Sequence, residues 1–64
     1  MDQETFNLSI RKFLKMVGVN SQREIEQAVQ QSAGKLGDGF EVKMTLEIPK
    51  LGVKVPFDGE IKLK

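Results

Sequence analysis

The chain has 64 residues, ten basic against nine acidic, for a net charge of +1, and it holds neither cysteine nor histidine. That composition excludes disulfides, thiolate or ordinary zinc sites, and imidazole acid–base chemistry. It leaves room for one domain with one thin core, because domains this small bury only roughly 60% of their unfolded surface. The near-neutral balance lacks the basic excess of a typical nucleic-acid domain. No stretch approaches the roughly 20 apolar residues that span a bilayer, so no membrane partner is expected. The opening Met1-Asp2-Gln3-Glu4 is acidic and polar, unlike a secretory signal, and a cytoplasmic location is the default expectation.

The first predicted helix covers about residues 3–17. Phe6, Ile10, Phe13, Leu14 and Val17 fall at offsets 0, 4, 7, 8 and 11, one stripe of a 3.6-residue period. Asp2 suits the N-cap, and Glu4 sits where the helix dipole favours a negative charge. Gly18 suits a left-handed C-terminal position, with Val19 making the apolar contact that often follows. Leu8 falls outside the stripe, among Arg11, Lys12 and Lys15. It reads as a lone exposed leucine or as a contact point for another chain.

The second predicted helix covers about residues 22–33. Ser21-Gln22-Arg23-Glu24 has the S-x-x-E form of a capping box. Ile25, Ala28, Val29, Ser32 and Ala33 follow at helical spacing, and Arg23, Gln27, Gln30 and Gln31 take the other face. Gly34 ends the helix. The loop Gly34-Lys35-Leu36-Gly37-Asp38-Gly39 lacks the order of a phosphate-binding loop and precedes a strand, so it reads as a helix stop and a strand entry. Leu36 is expected to plug the core.

A hairpin over about 40–48 and 53–63 closes the chain. Phe40, Val42, Met44, Leu46 and Ile48 alternate with polar residues, and Leu51, Val53, Val55, Phe57, Ile61 and Leu63 continue the apolar set at odd positions. Asp58-Gly59 is a strong turn dipeptide, but a turn there would set Phe57 against Glu60 and Val55 against Lys62. A turn over Pro49-Lys50-Leu51-Gly52 instead pairs Ile48 with Val53, Leu46 with Val55, Met44 with Phe57 and Phe40 with Ile61. It also pairs Glu47 with Lys54 and Lys43 with Asp58. Asp58-Gly59 then becomes a bulge or kink within the second strand, and Pro56 marks an edge. The same register sets Glu41 opposite Glu60, a like-charge pair that could do acid–base work or hold calcium only in a shielded site.

The expected fold is α+β: two N-terminal helices packed on one face of a C-terminal antiparallel hairpin, in a single domain. No catalytic residue, metal ligand or cofactor site is expected, and the chain is expected not to be an enzyme. The leading function is a small non-enzymatic protein-interaction or structural module of a bacterial cytoplasm. Its partner is an unidentified protein, or a second copy paired through a hairpin edge. The alternative is nucleic-acid binding by a helix-turn-helix, with Ser21, Gln22, Arg23, Gln27 and Gln30 reading bases and the basic first helix touching phosphates. Glu24 and Glu26 at the front of the recognition helix, and the lack of a third helix, weigh against it. The candidate interaction surface is Leu8, Arg11, Lys12, Lys15, Gln22, Arg23 and Gln27.

The run Phe6-Asn7-Leu8-Ser9-Ile10-Arg11-Lys12-Phe13-Leu14-Lys15, then Val17-Gly18-Val19-Asn20-Ser21-Gln22-Arg23-Glu24-Ile25-Glu26, resembles the opening of a family of short uncharacterised bacterial proteins. Its members run F-N-x-S-I-R-K-F-L-K-x-V-G-V-x-S-Q-R-E-I-E before a β-rich tail, and the likeness covers about the first half of the chain. That family is a domain of unknown function, so the resemblance implies a fold opening but no activity, ligand or catalytic residue. Arg11, Lys12, Gln22 and Arg23 lie inside the shared run and are polar, which core packing does not explain.

Overall fold

The computed structural model describes residues 1–32 and 34–64, so the expectations for Ala33 lie outside the described residues. Two compact units make up the chain, Met1–Gly34 and Lys35–Lys64. The first is one helix, α1, Gln3–Gln31, of 29 residues. The second is a hairpin of β1, Gly39–Ile48, and β2, Val53–Lys62, joined by a 3-10 turn at Pro49–Leu51.

The N-terminus of α1 forms as its residues dictate. The Thr5 hydroxyl donates to Asp2 Oδ2 at 2.7 Å, the Glu4 N–H donates to Asp2 Oδ1 at 3.1 Å, and the Phe6 N–H donates to the Asp2 carbonyl at 3.0 Å. These bonds occupy donors that a helix start otherwise leaves free. At the other end Ser32 is the C-cap, and both its N–H and its hydroxyl donate to the Val29 carbonyl, at 3.1 and 2.6 Å. Gly34 follows in the left-handed region at φ 77.

The two expected helices are one. Gly18, Val19, Asn20 and Ser21 all lie inside α1, and Gly18 is not among the glycines of positive φ. The physical reason lies in phase and in orphan groups. Val17, Ser21, Ile25 and Val29 are spaced by four, so the two apolar stripes run on without a break. Splitting the helix would leave four N–H and four C=O groups without partners, whereas Gly18 in a helix interior costs only about 1 kcal/mol relative to alanine. The capping box at Ser21–Glu24 has no orphan amides left to satisfy, because helix amides bond four residues back. The helix-turn-helix reading loses its turn with this correction.

The hairpin register matches the expectation pair by pair, including Ile48 with Val53, Met44 with Phe57, Phe40 with Ile61 and Glu41 with Glu60. The turn has Pro49 in its first position and Gly52 at φ 65, with the Gly52 N–H donating to the Pro49 carbonyl at 3.2 Å. The expected bulge at Asp58-Gly59 does not form. Asp58 pairs one-for-one with Lys43, and Gly59 with Val42. An unbroken period of two keeps every apolar residue on one face, which a bulge would disrupt. The strand ends tighten where the Leu63 N–H donates to the Asp38 carbonyl at 2.7 Å.

Among the described residues none is buried. Leu36 and the strand residues Phe40, Val42, Leu46, Ile48, Val53 and Ile61 are half-buried, as are Val17, Ser21, Ile25 and Val29 along α1 and Ser32 at its C-cap. Leu36 is therefore not a core plug.

Candidate interaction surface

A single helix changes what the candidate residues can do together. At about 100° per residue, Leu8, Arg11, Lys12, Lys15, Gln22, Arg23 and Gln27 all fall within roughly half the circumference of α1, opposite the stripe of Phe6, Ile10, Phe13, Leu14 and Val17. Every one of the seven is exposed. Residues assigned to separate helices thus share one continuous face of the same rod.

Two apolar residues on this face, Val19 and Met16, stand outside the set expected from the sequence. Val19, 43% exposed, lies eleven residues after Leu8, 53% exposed, which sets the two within about 20° of each other. Met16, also exposed, lies beside them. The signal was present: continuing the stripe from Val17 through Ser21 to Ile25 fixes one phase and moves Val19 to the far side. The face is chemically mixed. Arg11, Lys12, Lys15 and Arg23 are cations, Glu4 and Glu26 are the acids among them, and Leu8 and Val19 are apolar points between them. Such a face can hold a carboxylate-bearing surface by charge and anchor it by the two aliphatic side chains.

The hairpin's polar face is mixed in sign. Lys43 Nζ lies 3.4 Å from Glu41 Oε1, Lys54 Nζ lies 4.0 Å from Glu47 Oε1, and Lys64 Nζ lies 3.9 Å from Asp38 Oδ1. The Glu47–Lys54 pairing is the expected one. Lys43 stands opposite Asp58 as expected, and its ammonium lies with Glu41 on its own strand, where it offsets the charge that Glu41 sets opposite Glu60. An open depression at the hairpin's free end is lined by Asp38, Glu41, Glu60, Lys62 and Lys64. Its carboxylates stand in solvent beside lysines, without the shielding that catalytic pairs need.

A sequence model named Family of unknown function (DUF6494) matches residues 1–64. The chain belongs to this family. The match spans the DUF6494 chain from the helix through both strands, beyond the opening run that carried the resemblance. No curated protein and no solved structure matches it. In this DUF6494 chain no described helix is long and apolar enough to cross a membrane. The surface of α1 is the place where its sequence and geometry concentrate unexplained polar residues.

Proposed function

We propose that the chain is a small non-enzymatic interaction module that binds an acidic protein surface through the basic face of α1. One observation carries this reading: helix continuity aligns Leu8, Arg11, Lys12, Lys15, Gln22, Arg23 and Gln27, with Val19, on a single exposed face. Clustered cations steer an acidic partner toward the face, and the aliphatic pair supplies the desolvated contact that cations alone lack. The lack of histidine and cysteine, and the open setting of the hairpin carboxylates, support a role without catalysis.

The test is affinity capture from cells that express the chain, run in parallel with wild type, Leu8→Asp and Lys12→Glu. A protein retained by wild type and lost by both variants, with helical circular dichroism unchanged, supports the reading. Equal capture by all three refutes it. Amide NMR shifts with the isolated partner should concentrate from Leu8 to Gln27. Shifts of the same residues with a mixed-sequence DNA duplex at low salt would assign the face to phosphates instead.

A further inference from the structure

We infer that the apolar stripe of α1 is the seat of a second copy of this chain, laid antiparallel along it. The stripe is the face opposite the proposed partner surface. Phe6 is 45% exposed, Ile10 41%, Phe13 49% and Leu14 57%, side by side over three turns. A helix draws most of its stability in a protein from covering such a face.

Size along the stripe fixes the direction of the second copy. Its N-terminal half carries Phe6, Ile10, Phe13 and Leu14; its C-terminal half carries Ser21, Ile25, Ala28 and Ser32. A parallel partner sets bulk against bulk at one end and leaves voids at the other. An antiparallel partner with its two-fold axis beside Val17 sets Phe6 over Ala28 and Leu14 over Ser21, large residues on small ones, with Ile10 over Ile25 between them. The spacing Ile10, Leu14, Val17, Ser21, Ile25, Ala28, Ser32 repeats every eleven residues, which keeps the seam on one side of a nearly straight helix.

Charge favours the same direction. Arg11, Lys12 and Lys15 against Glu4 give residues 3–17 a net charge of +2, and Arg23 against Glu24 and Glu26 gives residues 18–31 a net charge of −1. The antiparallel arrangement lays halves of unlike net charge alongside each other at long range, the cations standing on the face away from the seam, and the parallel one lays like halves together. The area suffices. A helix of 29 residues is about 43 Å long and about 10–12 Å wide, so each copy covers roughly 450–500 Å² in projection and the pair about 1,000 Å². That is the extent at which interfaces become specific. Pairing through the hairpin edge is less suited, because β2 presents Lys54, Pro56 and Lys62 along its length.

The experiment uses the full chain. Its freedom from cysteine makes introduced thiols unambiguous. Light scattering should give twice 7.2 kDa for wild type and 7.2 kDa for Leu14→Asp. Under mild oxidation Val17→Cys should cross-link to itself. Ile10→Cys and Ile25→Cys should each stay largely single, yet cross-link when mixed. A wild-type monomer at NMR concentrations overturns the proposal, and so does efficient self-cross-linking of Ile10→Cys, which marks a parallel pair. A Leu14→Asp variant that keeps the doubled mass places the contact elsewhere, at the hairpin edge, and overturns it too. Wild-type monomer that binds anionic lipid vesicles through the stripe assigns the face to a membrane surface instead. These readouts report mass and proximity, so they stand or fall independently of any partner at Leu8 and Lys12.

Discussion

Gly18 tests the continuity of α1 at a single atom. As a helix-ending glycine of positive φ it would resist a side chain, but within α1 its φ is ordinary and nothing lies within 4 Å of an added Cβ. Gly18→Ala should therefore raise stability by about 0.5–1 kcal/mol, read by denaturant unfolding, because alanine removes backbone freedom from the unfolded chain. A loss of similar size would restore the two-helix reading. Gly39 is the opposite case. A Cβ there would meet the Ile61 carbonyl oxygen at 2.5 Å and the Lys62 Cα at 3.3 Å, both backbone atoms that cannot swing aside. Gly39→Ala should cost about 1–3 kcal/mol and show first as lost amide protection at the strand ends. At Asp2, the Thr5 hydroxyl and then the Glu4 and Thr5 amides hold the carboxyl below its ordinary value. A depressed folded-state value means that the cap's contribution is fully present above the ordinary carboxylate range and fades as pH falls through the lowered one. Helical circular dichroism should fall on that acid limb, and Asp2→Asn, which caps without titrating, should flatten that part of the curve.

At the scale of elements, the hairpin was legible and the helix was only half so. Register is a discrete choice in a strand, since slipping by one residue turns every side chain over; Phe40 to Ile48 against Val53 to Ile61 admits one answer, and Pro49 with Gly52 supplies the turn. The bulge was misread because Asp58-Gly59 carries a strong local signal that the longer alternation overrules. Along α1 the misreading has the same origin. Gly18 and the Ser21-x-x-Glu24 pattern are stop and start signals worth about 1 kcal/mol each, and the phase that joins Val17 to Ile25 overrules both. The candidate residues are exposed, and their union on one face follows from the continuous helix. Gly59 offers an element-level test. It sits opposite Val42 in the apolar row, with nothing within 4 Å of an added Cβ, so the row has a gap between Phe57 and Ile61. Gly59→Val should fill it with a β-branched residue and stabilise the strand pair by about 0.5–1 kcal/mol, visible as slower amide exchange at Val42 and Gly59's neighbours.

In each of the two units the sequence is patterned for burial, while none of the described residues is buried. Apolar faces of this extent, on a short chain without cysteine and with no metal-ligand cluster among its described residues, favour association, and association links stability to concentration. If α1 is sheltered by a second copy, the midpoint of thermal unfolding followed by the helical signal must climb as protein concentration rises. A tenfold increase adds about 1.4 kcal/mol per mole of dimer. Leu14→Asp should abolish that dependence and lower the midpoint, whereas Leu8→Asp, on the opposite face, should leave both unchanged. The two substitutions introduce the same charge into the same helix six residues apart, so any difference between them reports which face is covered and not the cost of an aspartate in a helix. A midpoint that is flat with concentration for wild type would show that the stripe finds no second copy, and it would leave the basic face as the interaction surface proposed for this chain.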